Sequence, residues 1–190
     1  MSMEVITGKF YTQDEYFAFC DIHEARFELV NGEILEMLAE SVTASQITGN
    51  IHFYLRGLLE DQLYIFVQSA VKLQVREGKV FRIPDFLIFK ESGNKVKYAT
   101  EPVLIVEVIS ESTAKTDRTT KLNEYRLISS LQYYLIVEQE SCFIEMYIRE
   151  GERWYVEFYD KLDEVILLPY FGVEIPVNRV YKKIIFQPES

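Results

Sequence analysis

The sequence predicts a mixed α/β domain, and three observations indicate this class. A run of apolar, mostly β-branched residues at 103–109 is interrupted only by Glu107, which is typical of a strand buried on both faces of a sheet. Amphipathic helical patterns stand on either side of this strand, at about 41–60 and 115–128. The dipeptide Asn31-Gly32 separates two short apolar runs and indicates an antiparallel hairpin with a type I′ turn.

The first half of the chain contains clear boundaries for these elements. Thr12 and Glu15 have the spacing of a capping box, which predicts a short helix ending at about Cys20. The hairpin strands are predicted at 26–30 and 33–37. Further strands are expected at 65–75, 79–83, 86–89 and 103–109, with a polar connection at 92–100.

The second half is predicted to contain a strand–helix–strand unit followed by hairpins. The helix at 115–128 leads to strands at 133–138, 142–149 and 153–159. The tail segments 165–168 and 173–175 are expected to be peripheral. A meander followed by a strand–helix–strand unit is typical of a mixed α/β domain.

The composition fits one domain with a hydrophobic core. The chain has 190 residues, 48% of them hydrophobic and 14% aromatic, and no linker, repeat or low-complexity segment interrupts it. We therefore expect residues 1–190 to form a single domain. No signal segment and no apolar run near the ~20 residues of a membrane span are present, which predicts a cytoplasmic protein.

Cysteine, histidine and charge content narrow the functional classes. Cys20 and Cys142 have no metal or redox spacing, which fits a reducing compartment. His23 and His52 are the only histidines, so a zinc site or a histidine-based triad is poorly supported. The net charge of −10 disfavours duplex binding, which depends on cations that displace counterions from phosphates. A local basic patch would still be compatible with nucleic acid.

Two carboxylates suggest a metal site. Glu107 lies in a strand predicted to be buried, where a carboxylate needs a cation, a metal or strong donors. Asp85 follows Pro84 and opens the apolar run at 86–89. We expect Asp85 and Glu107 to face one another at the ends of adjacent strands. With the backbone carbonyl of Val108, they would form an ordinary Mg²⁺ or Mn²⁺ site.

The same residues carry a resemblance to a known family. Pro84-Asp85, followed by the strand that ends in Glu107-Val108, resembles the core of the PD-(D/E)XK nuclease superfamily. More narrowly, the chain is similar to the Uma-two family of bacterial "putative restriction endonucleases". The motifs are Arg26-Phe27-Glu28-Leu29-Val30-Asn31-Gly32, Pro84-Asp85, Glu107-Val108-Ile109-Ser110, Ser112-Thr113, Asp117-Arg118, Lys121-Leu122, Tyr125 and 133–138.

The resemblance covers about residues 10–181 and implies a restriction-endonuclease-like fold, with a central mixed β-sheet flanked by helices and antiparallel hairpins. It implies a metal-dependent endonuclease with Mg²⁺ or Mn²⁺ as cofactor, DNA as substrate and a homodimer as the assembly. The implied catalytic residues are Asp85, Glu107, Lys121 and, as an auxiliary group, Glu28. The implied metal ligands are Asp85, Glu107 and the Val108 carbonyl.

The chain departs from the family pattern in two places. The superfamily motif would place lysine at position 109, where this chain has isoleucine. The sequence resembles members in which the lysine has moved to the next helix, which points to Lys121, with Lys115 as a less favoured substitute. Relatives often carry a histidine where this chain has Ala44-Ser45-Gln46, so a role for that histidine does not transfer.

Each candidate also has an ordinary structural interpretation. Glu107 and Lys121 could form a buried ion pair, and Lys121 could pair with Asp117 on a solvated helix face. Asp85 could form a turn after proline, and Glu28 could form a surface pair. The remaining polar motif residues, Ser110, Ser112 and Thr113, are expected to be caps rather than ligands.

Basic residues offer two phosphate-facing patches, although such runs are usually solvated faces. The patches comprise Lys115, Arg118 and Lys121, and Lys72, Arg76, Lys79 and Arg82. Two rival functions remain open. One is a catalytically silent binding or assembly module that keeps the nuclease fold, and the other is hydrolysis of a small phosphoester.

Overall fold

A computed structural model of the protein describes residues 8–69, 71–90, 97–110 and 113–186. The elements are α1 (Gln13–Ile22), β1 (Phe27–Val30), β2 (Glu33–Glu36), α2 (Val42–Leu58), β3 (Tyr64–Gln68), β4 (Leu73–Arg76), β5 (Val80–Arg82), β6 (Phe86–Lys90), β7 (Pro102–Ile109), α3 (Ala114–Thr116), a π-helical turn (Asp117–Lys121), α4 (Leu122–Tyr125), β8 (Tyr133–Glu138), β9 (Ile144–Glu150), β10 (Arg153–Tyr159), β11 (Val165–Leu168), β12 (Val173–Pro176) and α5 (Val177–Val180). The predicted connection at 92–100 is described only from residue 97, and Ser112 lies outside the described residues.

The main sheet has six strands in the order β10-β9-β8-β7-β6-β3. Strands β7 and β8 are parallel and all other neighbours are antiparallel, so the sheet is mixed. Strand β7 lies in the interior of the sheet, and all eight of its residues are buried. The predicted mixed α/β fold and the doubly buried strand are confirmed.

A second sheet, β2-β1-β5-β4, packs its own small core against α1. The predicted hairpin is confirmed, because Asn31 and Gly32 have φ values of 54° and 93°, as a type I′ turn requires. The capping box that starts α1 is also present, with Thr12 accepting from Glu15 N–H.

Three sequence predictions about elements were wrong. The predicted strand at 65–75 is two strands in different sheets, β3 and β4, and the chain turns at Ser69 with a φ of 38°. The helix after β7 ends at Tyr125 and contains the π-helical turn. The tail is not peripheral, because β11, β12 and α5 contribute buried residues to the core on the α2 side of the main sheet, namely Ile166, Leu168, Ile175, Val177 and Val180.

No helix in the described part of the chain is both long enough and apolar enough to span a membrane.

Removing a side chain from the tail tests its contribution to the core. Ile175 of β12 is fully buried, so Ile175→Ala should lower the free energy of unfolding by about 2–4 kcal/mol. Leu167 on the paired strand β11 is 54% exposed, so Leu167→Ala should cost less than about 1 kcal/mol. Urea unfolding measures both, and equal losses would contradict a core role for the tail.

Candidate active site

The register between β6 and β7 places Asp85 and Glu107 beside one another. Phe86 lies opposite Val106 in this antiparallel pair, so the next residues outward, Asp85 and Glu107, are opposite one another. This confirms their predicted location at neighbouring strands. The Asp85 carbonyl accepts hydrogen bonds from the Ser69 N–H at 3.0 Å and from the Ser69 hydroxyl at 3.2 Å.

The side chain of Asp85 extends the hydrogen bonding between β6 and β7. Its Oδ2 accepts the Val108 N–H at 2.7 Å. The Val103 and Ile109 carbonyls accept N–H groups that flank β8, so odd-numbered residues of β7 direct their backbone groups towards β8. Backbone groups alternate along a strand. The Val108 carbonyl therefore faces the Asp85 side, where the sequence predicts a metal ligand.

Glu107 is 3% exposed and is held by two donors from the helix after β7. Its Oε1 accepts the Tyr125 hydroxyl at 2.8 Å and lies 2.9 Å from the Lys121 ammonium. Its Oε2 accepts no hydrogen bond from the described residues. One carboxylate oxygen thus orients the side chain and the other is free to bind a ligand.

Lys121 is 7% exposed and lies in the π-helical turn. Besides Glu107, its ammonium contacts Asp117 Oδ1 at 2.8 Å, an ion pair without the angles of a hydrogen bond. Asp117 is itself only 2% exposed. The solvated-face interpretation of Lys121 is therefore wrong, whereas the buried ion pair with Glu107 is present. Lys115, the alternative lysine, is exposed.

Burial dominates the ionisation of this cluster. It raises the pKa of Asp85 to about 7, although Lys121 and the Val108 N–H act in the opposite direction. Burial also raises the pKa of Glu107, and the Lys121 ammonium only partly offsets this. For Lys121, burial favours the neutral form, but Glu107 and Asp117 outweigh it and raise the pKa. These carboxylates consequently favour the charged form of Lys121, which suits it to stabilising negative charge rather than removing a proton.

Glu28 is fully buried, and both of its carboxylate oxygens accept hydrogen bonds. Oε2 accepts Arg82 Nη1 at 2.7 Å, and Oε1 accepts the Ile83 N–H at 3.0 Å. Arg82 also donates two bonds, at 2.8 and 3.0 Å, to Glu124 of α4. Glu28 therefore holds the chain just before Pro84-Asp85, and the surface-pair interpretation of Glu28 is wrong.

Sequence reasoning missed the role of Arg82. It is 1% exposed, so it cannot belong to a phosphate-facing patch. Its ion pairs instead tie β5 to β1 and to the helix that carries Lys121. The hydrophobic neighbours of Arg82 at 80, 81 and 83 were the available signal, because a charge inside a buried strand needs partners.

Asp85, Glu107 and Lys121 line a cavity of about 630 Å³. The charged residues of its lining are Arg26, Glu28, Glu40, Asp85, Glu107, Lys115, Asp117 and Lys121. Ala44 also lines it. At its edge, the Ser110 N–H donates to the Thr113 hydroxyl at 3.2 Å. This is a hydrogen bond of the turn before α3, and Thr113, the N-cap of α3, makes no side-chain capping hydrogen bond.

The donor set fits a hard divalent cation. Asp85 Oδ1 and Glu107 Oε2 accept no hydrogen bond from the described residues, and both residues line the cavity. Within the same residues, no group of three or more Asp, Glu, His or Cys side chains is placed to hold a metal. Mg²⁺ commonly binds through one or two carboxylates and keeps several waters, so Asp85, Glu107 and the Val108 carbonyl are the groups that could hold it.

The chain is similar to known proteins over most of its length. The Uma2 family model, described as "Putative restriction endonuclease", matches residues 13–178. "Uncharacterized protein sll1609" of Synechocystis is 30% identical over 155 residues, covering 80% of this chain and 88% of the relative. "Uncharacterized protein slr1290" of the same organism is 25% identical over 176 residues, covering 91% and 92%.

A solved structure shares the fold. The crystal structure of "a putative nuclease belonging to DUF820" from Anabaena variabilis superimposes with a TM-score of 0.74 at 14% identity, covering 92% of this chain and 99% of that chain.

The raised pKa of Asp85 predicts a pH-dependent penalty in metal-free protein. Its pKa is about 7 in the folded state against 3.8 for an ordinary aspartate. Below about pH 4 the carboxyl is protonated in both the folded and the unfolded state, and the folded protein keeps its full stability. This stability is lost as the pH rises from about 4 to about 7, because ionisation is less favourable in the folded state. Asp85→Asn, which keeps an acceptor for Val108, should increase the free energy of unfolding by about 1–3 kcal/mol at pH 8 and by almost nothing near pH 4.

Urea unfolding across this pH range, with a chelator present, measures the difference. Asp61→Asn changes an exposed aspartate and is the matched control, expected to show no such trend. A stability difference for Asp85→Asn that is independent of pH would contradict the burial of its carboxylate.

Proposed function

The chain belongs to the Uma2 family, described as "Putative restriction endonuclease", and we propose that it is a Mg²⁺- or Mn²⁺-dependent endonuclease that hydrolyses phosphodiester bonds in DNA. The observation that carries the proposal is the pairing of Asp85 with Glu107 across β6 and β7, with the Lys121 ammonium 2.9 Å from Glu107. Two carboxylates beside one buried cation supply the groups that metal-assisted hydrolysis needs.

In this proposal, Asp85, Glu107 and the Val108 carbonyl hold the metal. When bound, the ion polarises a phosphodiester oxygen and lowers the pKa of a bound water. The protein itself keeps both carboxylates in place, through the Val108 N–H for Asp85 and through Tyr125 for Glu107. A cation between them would also offset the burial that raises their pKa values.

Lys121 would orient the attacking water and stabilise the negative charge that develops on the phosphoryl oxygens. Its ammonium already lies at Glu107 and is shielded from bulk water, whereas Lys115 is exposed at the cavity wall. We therefore assign the catalytic lysine to Lys121. Glu28 would act as an auxiliary group that positions the segment before Asp85 through the Ile83 N–H.

A specific observation favours the silent module as the second candidate. Lys121 is held by two buried carboxylates, Glu107 and Asp117, and such a group could be a purely structural ion cluster. A structural cluster would preserve the fold without cleaving a substrate. Activity that depends on Lys121 separates the two candidates.

Cleavage of plasmid and single-stranded DNA with Mg²⁺ or Mn²⁺ tests the proposal. Asp85→Asn removes a charged ligand and Lys121→Met removes the ammonium, so each should reduce the rate by at least about 100-fold. Lys115→Met removes an exposed lysine from the same cavity and should change the rate less than about threefold. Loss in Lys115→Met but not in Lys121→Met would reassign the lysine. Absence of cleavage in the wild type would favour the silent module.

Thermal unfolding provides a readout of metal binding that does not depend on cleavage. Saturating Mn²⁺ should raise the Tm of the wild type, because a ligand that binds only the folded state stabilises it. Asp85→Asn should abolish this increase. An equal increase in both proteins would place the metal elsewhere.

A further inference from the structure

The β1–β2 hairpin presents a mixed face to the cavity. Glu28 and Leu35 are directly opposite one another in the hairpin, so their side chains share a face. Met37 extends this face beyond β2, with its N–H bonded to the Arg26 carbonyl. The opposite face of the hairpin, which carries Leu29 and Ile34, is fully buried against α1 and β5.

The cavity therefore has an apolar wall beside its carboxylates. Leu35 and Met37 are half-buried, and Leu38 and Ala39 are exposed, yet all four line the cavity. Ligand pockets of about 300–1,000 Å³ commonly combine apolar walls with a few polar groups that fix orientation. This wall suits the apolar part of a ligand whose polar part is bound in the same cavity, at the proposed metal site of Asp85 and Glu107.

Among the described residues, few cationic side chains line the cavity, and most of these already form hydrogen bonds or ion pairs within the protein. Arg26 donates to Glu40 at 3.0 Å, to the Ser69 carbonyl at 2.8 Å and to the Leu38 carbonyl at 3.2 Å. Lys121 is held by two carboxylates, and Lys115 is exposed. Duplex DNA is usually held by several phosphate contacts at once, and the described residues of this lining do not offer them.

Building on the proposed function, we propose that the cavity accepts one unpaired nucleotide. Its base would lie against Leu35, Met37 and Leu38, and its phosphate would lie at the divalent cation that Asp85 and Glu107 are proposed to hold. Bases removed from a stack are commonly held between apolar or aromatic side chains. The substrate is accordingly single-stranded or locally unpaired DNA, and intact duplex is a poor substrate.

Fluorescence of 2-aminopurine tests this without requiring cleavage. The probe is a DNA oligonucleotide with one central 2-aminopurine, used either single-stranded or paired to its complement. Each form is titrated with Lys121→Met protein in the presence of Mg²⁺, which occupies the proposed metal site while cleavage is suppressed. Single-stranded probe should bind at least tenfold more tightly than duplex. In the same background, Leu38→Gln should weaken single-strand binding at least about fivefold, in line with the loss of base stacking.

Leu167→Gln is the matched control, because Leu38 and Leu167 are 51% and 54% exposed and only Leu38 lines the cavity. It should leave binding unchanged. Equal affinity for duplex, or no effect of Leu38→Gln, would overturn the inference even if the enzyme cleaves DNA. Conversely, selective single-strand binding without wild-type cleavage would support the pocket while the proposed function fails.

An independent observation concerns β10, the seven-residue strand at the edge of the main sheet. Within the described residues, no strand pairs with its outer edge. Tyr155, Val156 and Phe158 are exposed by 44%, 37% and 57%. A long apolar edge strand is prone to pair with another chain unless charges, proline or a covering element protect it.

The strand is complementary to itself. An antiparallel copy centred on Val156 would place Tyr155 opposite Glu157 of the second copy, so that the two acidic groups do not meet. The same pairing puts Arg153 diagonal to the Glu157 of that copy, within reach of long side chains. From this register we infer that β10 pairs with β10 of a second copy, which makes one continuous sheet across a homodimer.

Light scattering after size-exclusion chromatography tests the interface. The wild type should be a dimer, and Val156→Lys, which places two ammonium groups opposite one another, should be monomeric. Val165→Lys is the matched control, because Val165 is a strand valine with 38% exposure against 37% for Val156, and it should remain dimeric. A monomeric wild type, or a dimer unaffected by Val156→Lys, would overturn the inference.

Cross-linking checks the register. Paired residues in antiparallel strands have Cα atoms about 4.5 or 5.5 Å apart, which suits a disulfide. Val156→Cys in a background with Cys20 and Cys142 changed to serine should form an oxidised dimer. Failure to cross-link in a protein that is still dimeric would place the interface elsewhere.

Discussion

The structure depends on the cost of placing a carboxylate in the middle of a buried strand. Glu107 lies in β7, where every neighbouring residue is apolar and shielded from water. Its charge is tolerable only if donors reach it from outside the sheet. Lys121 and Tyr125 supply them from the crossover between β7 and β8. The path of this crossover is thus set by electrostatics as well as by packing, and the cavity forms beside it.

A second buried charge links the four-stranded sheet to that crossover. Arg82 joins Glu28 of β1 to Glu124 of α4. A buried ion network of this kind is weak evidence of net stability, because desolvation offsets much of the attraction. Removing one partner, however, leaves an uncompensated charge. The network therefore fixes relative positions more effectively than it stabilises the fold.

The sequence predicted the parts of the site that local patterns control. A proline followed by aspartate at a strand start, and a glutamate within an apolar run, identified Asp85 and Glu107 without long-range information. The assignment of Lys121 came from the family resemblance, because nothing in local spacing distinguishes a buried helix lysine from a solvated one. Arg82 was misjudged although its apolar neighbours at 80, 81 and 83 indicated a buried strand. The break at Ser69 and the burial of the tail both depend on which sheet each strand joins, and short apolar runs do not specify that choice.

The π-helical turn at 117–121 makes the site sensitive to chain length. This turn contains one residue more per hydrogen-bonded ring than an α-helix, and one residue corresponds to a rotation of about 100° around the helix axis. A relative lacking that residue could form a regular helix, keep its backbone hydrogen bonds and retain the same sheet. Its lysine would nevertheless point away from the glutamate of the central strand. A single-residue gap in this helix would therefore distinguish homologues that share only the fold from homologues that also share the pairing of this lysine with the central glutamate.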